Sequence, residues 1–331
     1  MMRTNNIGIL AIQETHLTQE LVDTLHETFQ KSLVIKWSSD PNNTNSKGVA
    51  IILNKGLTRW NETEEIELVK GRAMMMTIKW HQEKKLHVLC VYAPNDPNEN
   101  GDFWKKIDQE LREKNLPSPD VMLGDFNMVE DSIDRLKTRN DPVYCTEALR
   151  ELKRTHHLAD GWRRTNGGDK GYTFYQKATK AHSRIDRIYV AENRLASTYE
   201  WEIEEAPIQT DHKVVKMTIC DPDTPYIGPG RWTLPLPLLK EKELVKKLYE
   251  IGMEAQGEME RVKMNRTDER NPQTVLRNFK TSVQECVKGY NKQKMKKING
   301  AIEKLKKDLE DTINDETQDE DRRKEAAAET D

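Results

Sequence analysis

The sequence predicts a mixed α/β domain built as a four-layer sandwich, with helices outside two packed, mainly antiparallel sheets. Two observations predict it. From the start of the chain to about Cys220, short apolar runs alternate with helical stretches, and consecutive runs are often separated only by turn residues. Every cluster of candidate functional polar residues ends or follows such a run. Two packed sheets bring strand ends from distant parts of the sequence to one rim.

The runs read as strands are, in order, Ile7 to Ile12, Gly48 to Leu53, Ala73 to Ile78, Leu86 to Tyr92, Val121 to Gly124 and Ile185 to Val190. Thr18-Gln19-Glu20-Leu21 opens a helix, because a threonine hydroxyl can cap the first free amides. A second helix is expected over about Asp102 to Lys114 and a third over about Thr146 to His156. Beyond Cys220 the pattern changes. Pro222, Pro225, Gly228, Pro229 and Gly230 mark a linker. After Pro237, Leu244, Leu248, Ile251 and Ala255 follow helical spacing, as do Val275, Phe279 and Val283, and then Ile298, Ile302, Leu305 and Leu309. The last set is too short by itself to assert a coiled coil. From Asp308 the sequence is acidic, with only Arg322, Arg323 and Lys324 as bases, and a frayed tail is expected. The division is therefore a domain over 1–220, a linker over 221–237 and a helical extension with an acidic tail over 238–331.

Composition narrows the function classes. Of 331 residues, 35% are hydrophobic and 33% charged, a balance that supports one real core and some very polar helix. No apolar run is long enough to span a membrane, and the first residues lack the apolar stretch of a signal peptide. Cys90, Cys145, Cys220 and Cys286 lie far apart, without zinc-like spacing, and read as reduced thiols of an intracellular protein, the nucleus being one compartment this allows. A formal net charge of -3 argues against coating nucleic acid by bulk charge, but leaves room for local phosphate contacts.

Five polar clusters carry the candidate chemistry. Gln13-Glu14-Thr15-His16 places a carboxylate at a strand end, where oxygen suits a hard cation, although a lone Glu there is more often the start of a polar loop. Tyr92-Ala93-Pro94-Asn95 is an ordinary strand exit that could also offer Asn95 to a phosphate. In Gly124-Asp125-Phe126-Asn127 the glycine lets the chain turn. If the stretch stays extended, Asp125 and Asn127 point the same way and can position and deprotonate a water; a capped turn is the equal alternative. Ser183-Arg184-Ile185-Asp186-Arg187 puts Asp186 in an apolar strand, where a carboxylate needs a partner. Thr210-Asp211-His212 supplies an imidazole that Asp186 can orient.

Taken together and in this order, QET, YAPN, GDFN, SRIDR and DH resemble the endonuclease/exonuclease/phosphatase superfamily, with its DNase I-like fold, over roughly Ile7 to Ile219. Leu158 to Arg163, Tyr172-Thr173-Phe174 and Ser183 to Asp186 look like the branch of exonuclease III and the nicking endonucleases of LINE-type retrotransposons. Gly230-Arg231-Trp232-Thr233-Leu234-Pro235 looks like the region that follows the endonuclease in such elements. The resemblance implies a Mg2+ site, with Mn2+ as a substitute, and DNA as the partner. It implies Glu14 as metal ligand, with Asp211 assisting at the metal or leaving-group side. Asp125 is implied to activate water, Asn127 to orient it, and His212, held by Asp186, to stabilise the charge developing on the phosphate. Tyr92, Asn95 and Arg184 are implied to hold the phosphate, with Arg184 supporting the site from beneath.

The sequence departs from that family in one respect. The family begins with a strand bearing an Asn and then a helix before the strand that ends in Glu; here Asn5 and Asn6 lie too close to Glu14 to replace them. An unpaired edge beside the Glu14 strand is expected, and with it reduced or lost activity. The leading function is a metal-dependent DNA-nicking phosphodiesterase. The alternatives are a non-catalytic retroelement remnant and a phosphatase acting on a small phosphoester.

Overall fold

The computed structural model describes residue 2 and residues 5–40, 47–221, 223 and 232–314. These fall into two compact units, the second spanning Pro225–Asp311. The segment expected as a linker and the acidic tail past residue 314 lie mostly outside the described residues.

The first unit begins with β1 (Ile9–Gln13), α1 (Gln19–Phe29), β2 (Leu33–Ser38) and β3 (Val49–Asn54). The Thr18 hydroxyl accepts from the Leu21 amide and caps α1 as its sequence predicts. These strands form an antiparallel sheet in the order β1-β3-β2. Among the described residues β1 is hydrogen-bonded on one side only, to β3, so the expected unpaired edge is present.

There follow β4 (Thr63–Val69), β5 (Ala73–Lys79), β6 (Lys85–Tyr92), α2 (Pro97–Glu113), β7 (Val121–Asp125), β8 (Arg135–Leu136), α3 (Val143–Thr155), β9 (Leu158–Asp160) and α4 (Gly161–Asn166). The unit closes with β10 (Phe174–Gln176), β11 (Ala181–Ser183), β12 (Asp186–Ala191), β13 (Thr198–Glu204) and β14 (Val214–Ile219). The second sheet has six strands in the order β4-β5-β6-β7-β12-β9, and only β6 and β7 run parallel, joined by α2. Strands β10, β11 and β8 make a small sheet, and β13 pairs with β14.

Three apolar clusters define four layers. Val49, Ile51 and Leu53 of β3 face Met74, Met76, Val88 and Cys90 of β5 and β6, so the sheets pack face to face. Ile9 and Ala11 of β1, and Val215, Met217 and Ile219 of β14, join the same interface. The far side of the large sheet carries Met75, Leu89 and Met122 onto Phe103, Trp104 and Ile107 of α2 and Leu149 and Leu152 of α3. On the outer side of the small sheet, Val22 of α1 packs on Ile35 and Ala50.

Helix α2 starts earlier than its apolar spacing suggests, because Asp96 caps the amides of Asn98 and Glu99 and Pro97 occupies the first turn. The second unit holds α5 (Lys242–Met264) and, as far as Asp311, α6 (Pro272–Asn314), joined through Leu238, Leu244 and Val287. The two apolar sets expected as separate helical stretches, around Val275 and around Ile298, lie on the single helix α6.

Candidate active site

Backbone register assembles the candidate site. In the large sheet Tyr92, the last residue of β6, sits level with Asp125, the last of β7, and Asp125 sits opposite Asp186, the first of β12. Three polar side chains spread over more than ninety residues of sequence therefore share one sheet edge. Gly124 makes this approach possible. Its φ is +145°, and a Cβ there would lie 1.9 Å from the Val91 carbonyl oxygen, so no side chain fits between β6 and β7.

The chain turns immediately after Asp125. Asn127 has φ of 50°, so the stretch does not stay extended, and Asp125 and Asn127 are not parallel neighbours on one strand face. The turn links them differently. The Asn127 amide donates to Asp125 Oδ1 at 2.8 Å, and Asn127 Nδ2 donates to the Ala93 carbonyl at 2.8 Å, which leaves Asn127 Oδ1 as the side-chain acceptor.

Asn100, on the first turn of α2 and 1% exposed, binds the two loops together. Its Nδ2 donates to the carbonyls of Pro94 and Phe126, and its Oδ1 accepts from Trp104 Nε1. The sequence reading missed this residue. Its signal was an Asn four positions before a Trp at the start of a helix, a spacing that puts the two on one face.

His212 Nδ1 lies 2.9 Å from Asp186 Oδ2, and its ring packs on Phe174 with centroids 4.7 Å apart. Thr173 fixes the other partner: it is fully buried, and its hydroxyl accepts from the amides of Ile185 and Asp186. Burial disfavours a charged imidazole, but the hydrogen bond that it donates to Asp186 and the charges of Asp186, Asp125 and Asp211 outweigh it and raise the His212 pKa to about 9. The Asp125 carboxyl is pushed up to about 7, first by burial and then by the Asp186 charge.

Glu14 ends the β1 segment with φ of 52°, and its carboxylate accepts from the Tyr92 hydroxyl. Burial, and then that bond to Glu14, push the Tyr92 phenol well above its usual range. Oxygen and nitrogen atoms of Asp125, Asp186 and His212 come within 4.8 Å of one another, the spacing of groups that can share a cation. Glu14 and Asp211 are not in that cluster, although Asp125 feels the charge of Glu14 and His212 that of Asp211. Asn95 is exposed in the loop after β6.

Arg184 is placed differently from a phosphate contact. It is 2% exposed, and its guanidinium donates to both carboxylate oxygens of Asp134 and lies 2.8 Å from Asp160. Asp134, 1% exposed, also accepts from Arg163. Both Arg184 and Asp134 are engaged below the sheet edge, because buried charges persist only when paired.

A sandwich of two sheets with Asp, Asn, Asp and His gathered at strand ends defines a phosphoester-hydrolase class of fold and site. The chain belongs to the Endonuclease/Exonuclease/phosphatase family, whose sequence profile matches residues 1–212. No curated protein matches it in a sequence search. Among solved structures it is similar to the AP endonuclease LMAP from Leishmania major, at 15% identity over 67% of this chain and 80% of that one, with a TM-score of 0.56. It is also similar to the 3′ phosphatase NExo from Neisseria, bound to a product DNA hairpin, at 18% identity over 66% and 93% with a TM-score of 0.51. The endonuclease domain of TRAS1, a telomere-specific non-LTR retrotransposon, matches at 17% identity over 66% and 88% with a TM-score of 0.48. Among the described residues no helix is long and apolar enough to cross a membrane.

Proposed function

We propose that this chain is a divalent-metal-dependent phosphodiesterase that nicks DNA by attack of water on a backbone phosphate, at a rate reduced by the open edge of β1, and that it derives from a LINE-type retrotransposon. Residues 1–220 carry the activity and 238–331 form a helical extension with an acidic tail. The observation that supports the reading most is the register of Tyr92, Asp125 and Asp186 at one sheet edge, with His212 held on Asp186.

Each residue then has a task. Asp125, with a carboxyl near neutrality, accepts the proton of the attacking water. Asn127, anchored by two hydrogen bonds, orients that water through its free Oδ1. His212 carries its proton at neutral pH and stabilises charge as it builds on the phosphate oxygens. Asp186 holds that imidazole in place. Tyr92 fixes Glu14, and Asn95 in its exposed loop meets the substrate backbone. Arg184 acts from beneath, through Asp134. The donor chemistry fits a hard cation such as Mg2+, or Mn2+ in its place, because Glu14, Asp125, Asp186 and Asp211 offer carboxylate oxygens around one rim. Bound there, the ion supplies positive charge against the phosphate.

DNA nicking is separated from small-phosphoester hydrolysis by giving the protein supercoiled plasmid and a phosphomonoester in parallel, with Mg2+ and with EDTA. The reading expects nicked circles only with Mg2+, and 3′-hydroxyl ends at the breaks. Phosphate release without nicking supports the phosphatase alternative and contradicts it.

A further inference from the structure

Helix α5 has an inner and an outer face. On the inner face Leu244 and Leu248 join Leu238, Val283 and Val287 in the core of the second unit. On the outer face opens a groove of about 470 Å³. Leu239 and Lys240, from the helical turn over Leu236–Lys240, line it together with Lys242, Val245, Lys246 and Tyr249 of α5. Its apolar side chains meet solvent: Leu239 is 45% exposed, Val245 42% and Tyr249 68%. Lys242, Lys246 and Tyr249 follow one another at steps of four and three, so they lie on one line along the helix.

The groove is basic as well as apolar. Among the described residues, Lys240, Lys242 and Lys246 enter no ion pair. Glu241, the acid between them in sequence, is held by Lys294 and by the Tyr290 hydroxyl. Glu243 and Glu250 lie on the adjoining flank of α5, about a quarter turn from the line of Lys242, Lys246 and Tyr249. Three unpaired ammonium groups around an exposed aromatic ring suit an anion that also carries flat apolar surface. A lipid bilayer does not fit, because the lysines stand within the apolar strip and would be buried with it. An acidic peptide would satisfy the lysines and leave the ring without a partner. Single-stranded DNA satisfies both: its phosphates meet the ammonium groups, and its unstacked bases have faces to lay on the ring. Leu239 and Val245 offer no hydrogen-bond partner to a ribose 2′-hydroxyl, which disfavours RNA.

We infer that this groove of α5 binds single-stranded DNA, with Lys240, Lys242 and Lys246 on phosphates and a base stacked on Tyr249. The binding weakens as salt rises, because each phosphate contact releases counterions that salt drives back. It needs neither a metal nor cleavage, so it stands or falls separately from the chemistry of the Asp125 site.

Fluorescence anisotropy of labelled oligo-dT with the whole chain, in EDTA and over a range of salt concentrations, tests this. The expected result is salt-dependent binding, tighter for oligo-dT than for a duplex of the same length or for oligo-rU. K242A/K246A should raise the dissociation constant by about tenfold and lower the slope of its logarithm against log salt by about 1.4, the loss of two contacts to a single strand. Y249L should weaken binding by about tenfold, while Y249F, which keeps the ring, should bind like the unaltered chain. All three positions are exposed, so no core is disturbed, and circular dichroism confirms the fold. The inference is overturned if oligo-dT does not bind, if K242A/K246A or Y249L binds it unchanged, or if duplex or oligo-rU binds more tightly. Phosphatidylserine vesicles that lose the variants while oligo-dT keeps them would assign the groove to a lipid surface. Poly-L-glutamate that competes as well as unlabelled oligo-dT would assign it to an acidic peptide, and in either case the inference is wrong.

Discussion

Asp125 and His212 form a pair whose environments push both pKa values up, to about 7 and about 9. A base must have lost its proton and a charge stabiliser must have kept its own. The nicking rate should therefore rise with pH as Asp125 loses its proton and fall as His212 loses its own, with a bound cation moving both steps below the metal-free values, and a pH–rate profile checks this. The same shift has a consequence for stability. A carboxyl whose folded pKa lies above its unfolded value holds a proton that the unfolded chain releases. Asp125 therefore costs stability as pH rises from about 4 to about 7, and the full cost remains above that. In metal-free protein, Asp125→Asn should raise the melting temperature at pH 8, by an amount corresponding to on the order of 2–4 kcal/mol, and far less at pH 4. An equal gain at both pH values would show that the carboxyl is not held near neutrality. Asn100 is the other residue whose removal is informative. Asn100→Ala leaves two carbonyls and the Trp104 N–H without partners, at about 1–3 kcal/mol for each buried group left unsatisfied. Urea unfolding should show a large loss, and nicking should fall with it, because the loops after β6 and β7 lose their common anchor.

At the scale of elements, the strands that the sequence revealed are, β1 apart, those buried on both faces. Runs such as Ala73 to Ile78 and Leu86 to Tyr92 are continuous and apolar because each meets the other sheet on one side and helices on the other. Strands β4 and β13, Thr-Glu-Glu-Ile-Glu-Leu-Val and Thr-Tyr-Glu-Trp-Glu-Ile-Glu, escaped that criterion. They lie at sheet edges, and polar residues occupy their open faces, so only an alternating pattern marks them. The site was legible in part for the same reason. Glu14, Asp125, Asp186 and His212 stand out as polar interruptions next to apolar runs. Asn100 and Thr173 do not, because their roles are hydrogen bonds to distant backbone that no local spacing encodes. Arg184 misled because a basic residue beside a catalytic-looking motif reads as a phosphate ligand, while its burial on Asp134 depends on β8 and α4 arriving from elsewhere. That cluster joins β12 to the loop before β8 and to α4. Asp134→Ala should cost roughly 3–5 kcal/mol by chemical denaturation, since it takes both of its hydrogen bonds to Asp134 from the buried Arg184, leaving that guanidinium Asp160 alone, and removes the carboxylate that Arg163 donates to. A loss below 1 kcal/mol would mean that the cluster is not a structural tie.

For the whole molecule, the two-sheet frame allows the proposed action on a polyanion by a chain with a net charge of -3. The frame gathers the candidate residues at one rim, where strand ends from β1, β6, β7 and β12 meet, and the rest of the surface is free to be acidic. The central claim is that this rim performs metal-dependent phosphodiester hydrolysis. The most direct test is the conversion of supercoiled plasmid to nicked circles by Asp125→Asn and His212→Ala protein, alongside the unaltered chain, in preparations shown free of contaminating nuclease and with circular dichroism confirming the fold. The account predicts Mg2+-dependent nicking by the unaltered chain and a fall of about 10²–10⁴ in rate for each variant. Variants that nick as fast as the unaltered chain, or a correctly folded unaltered chain that does not nick with either Mg2+ or Mn2+, would contradict it.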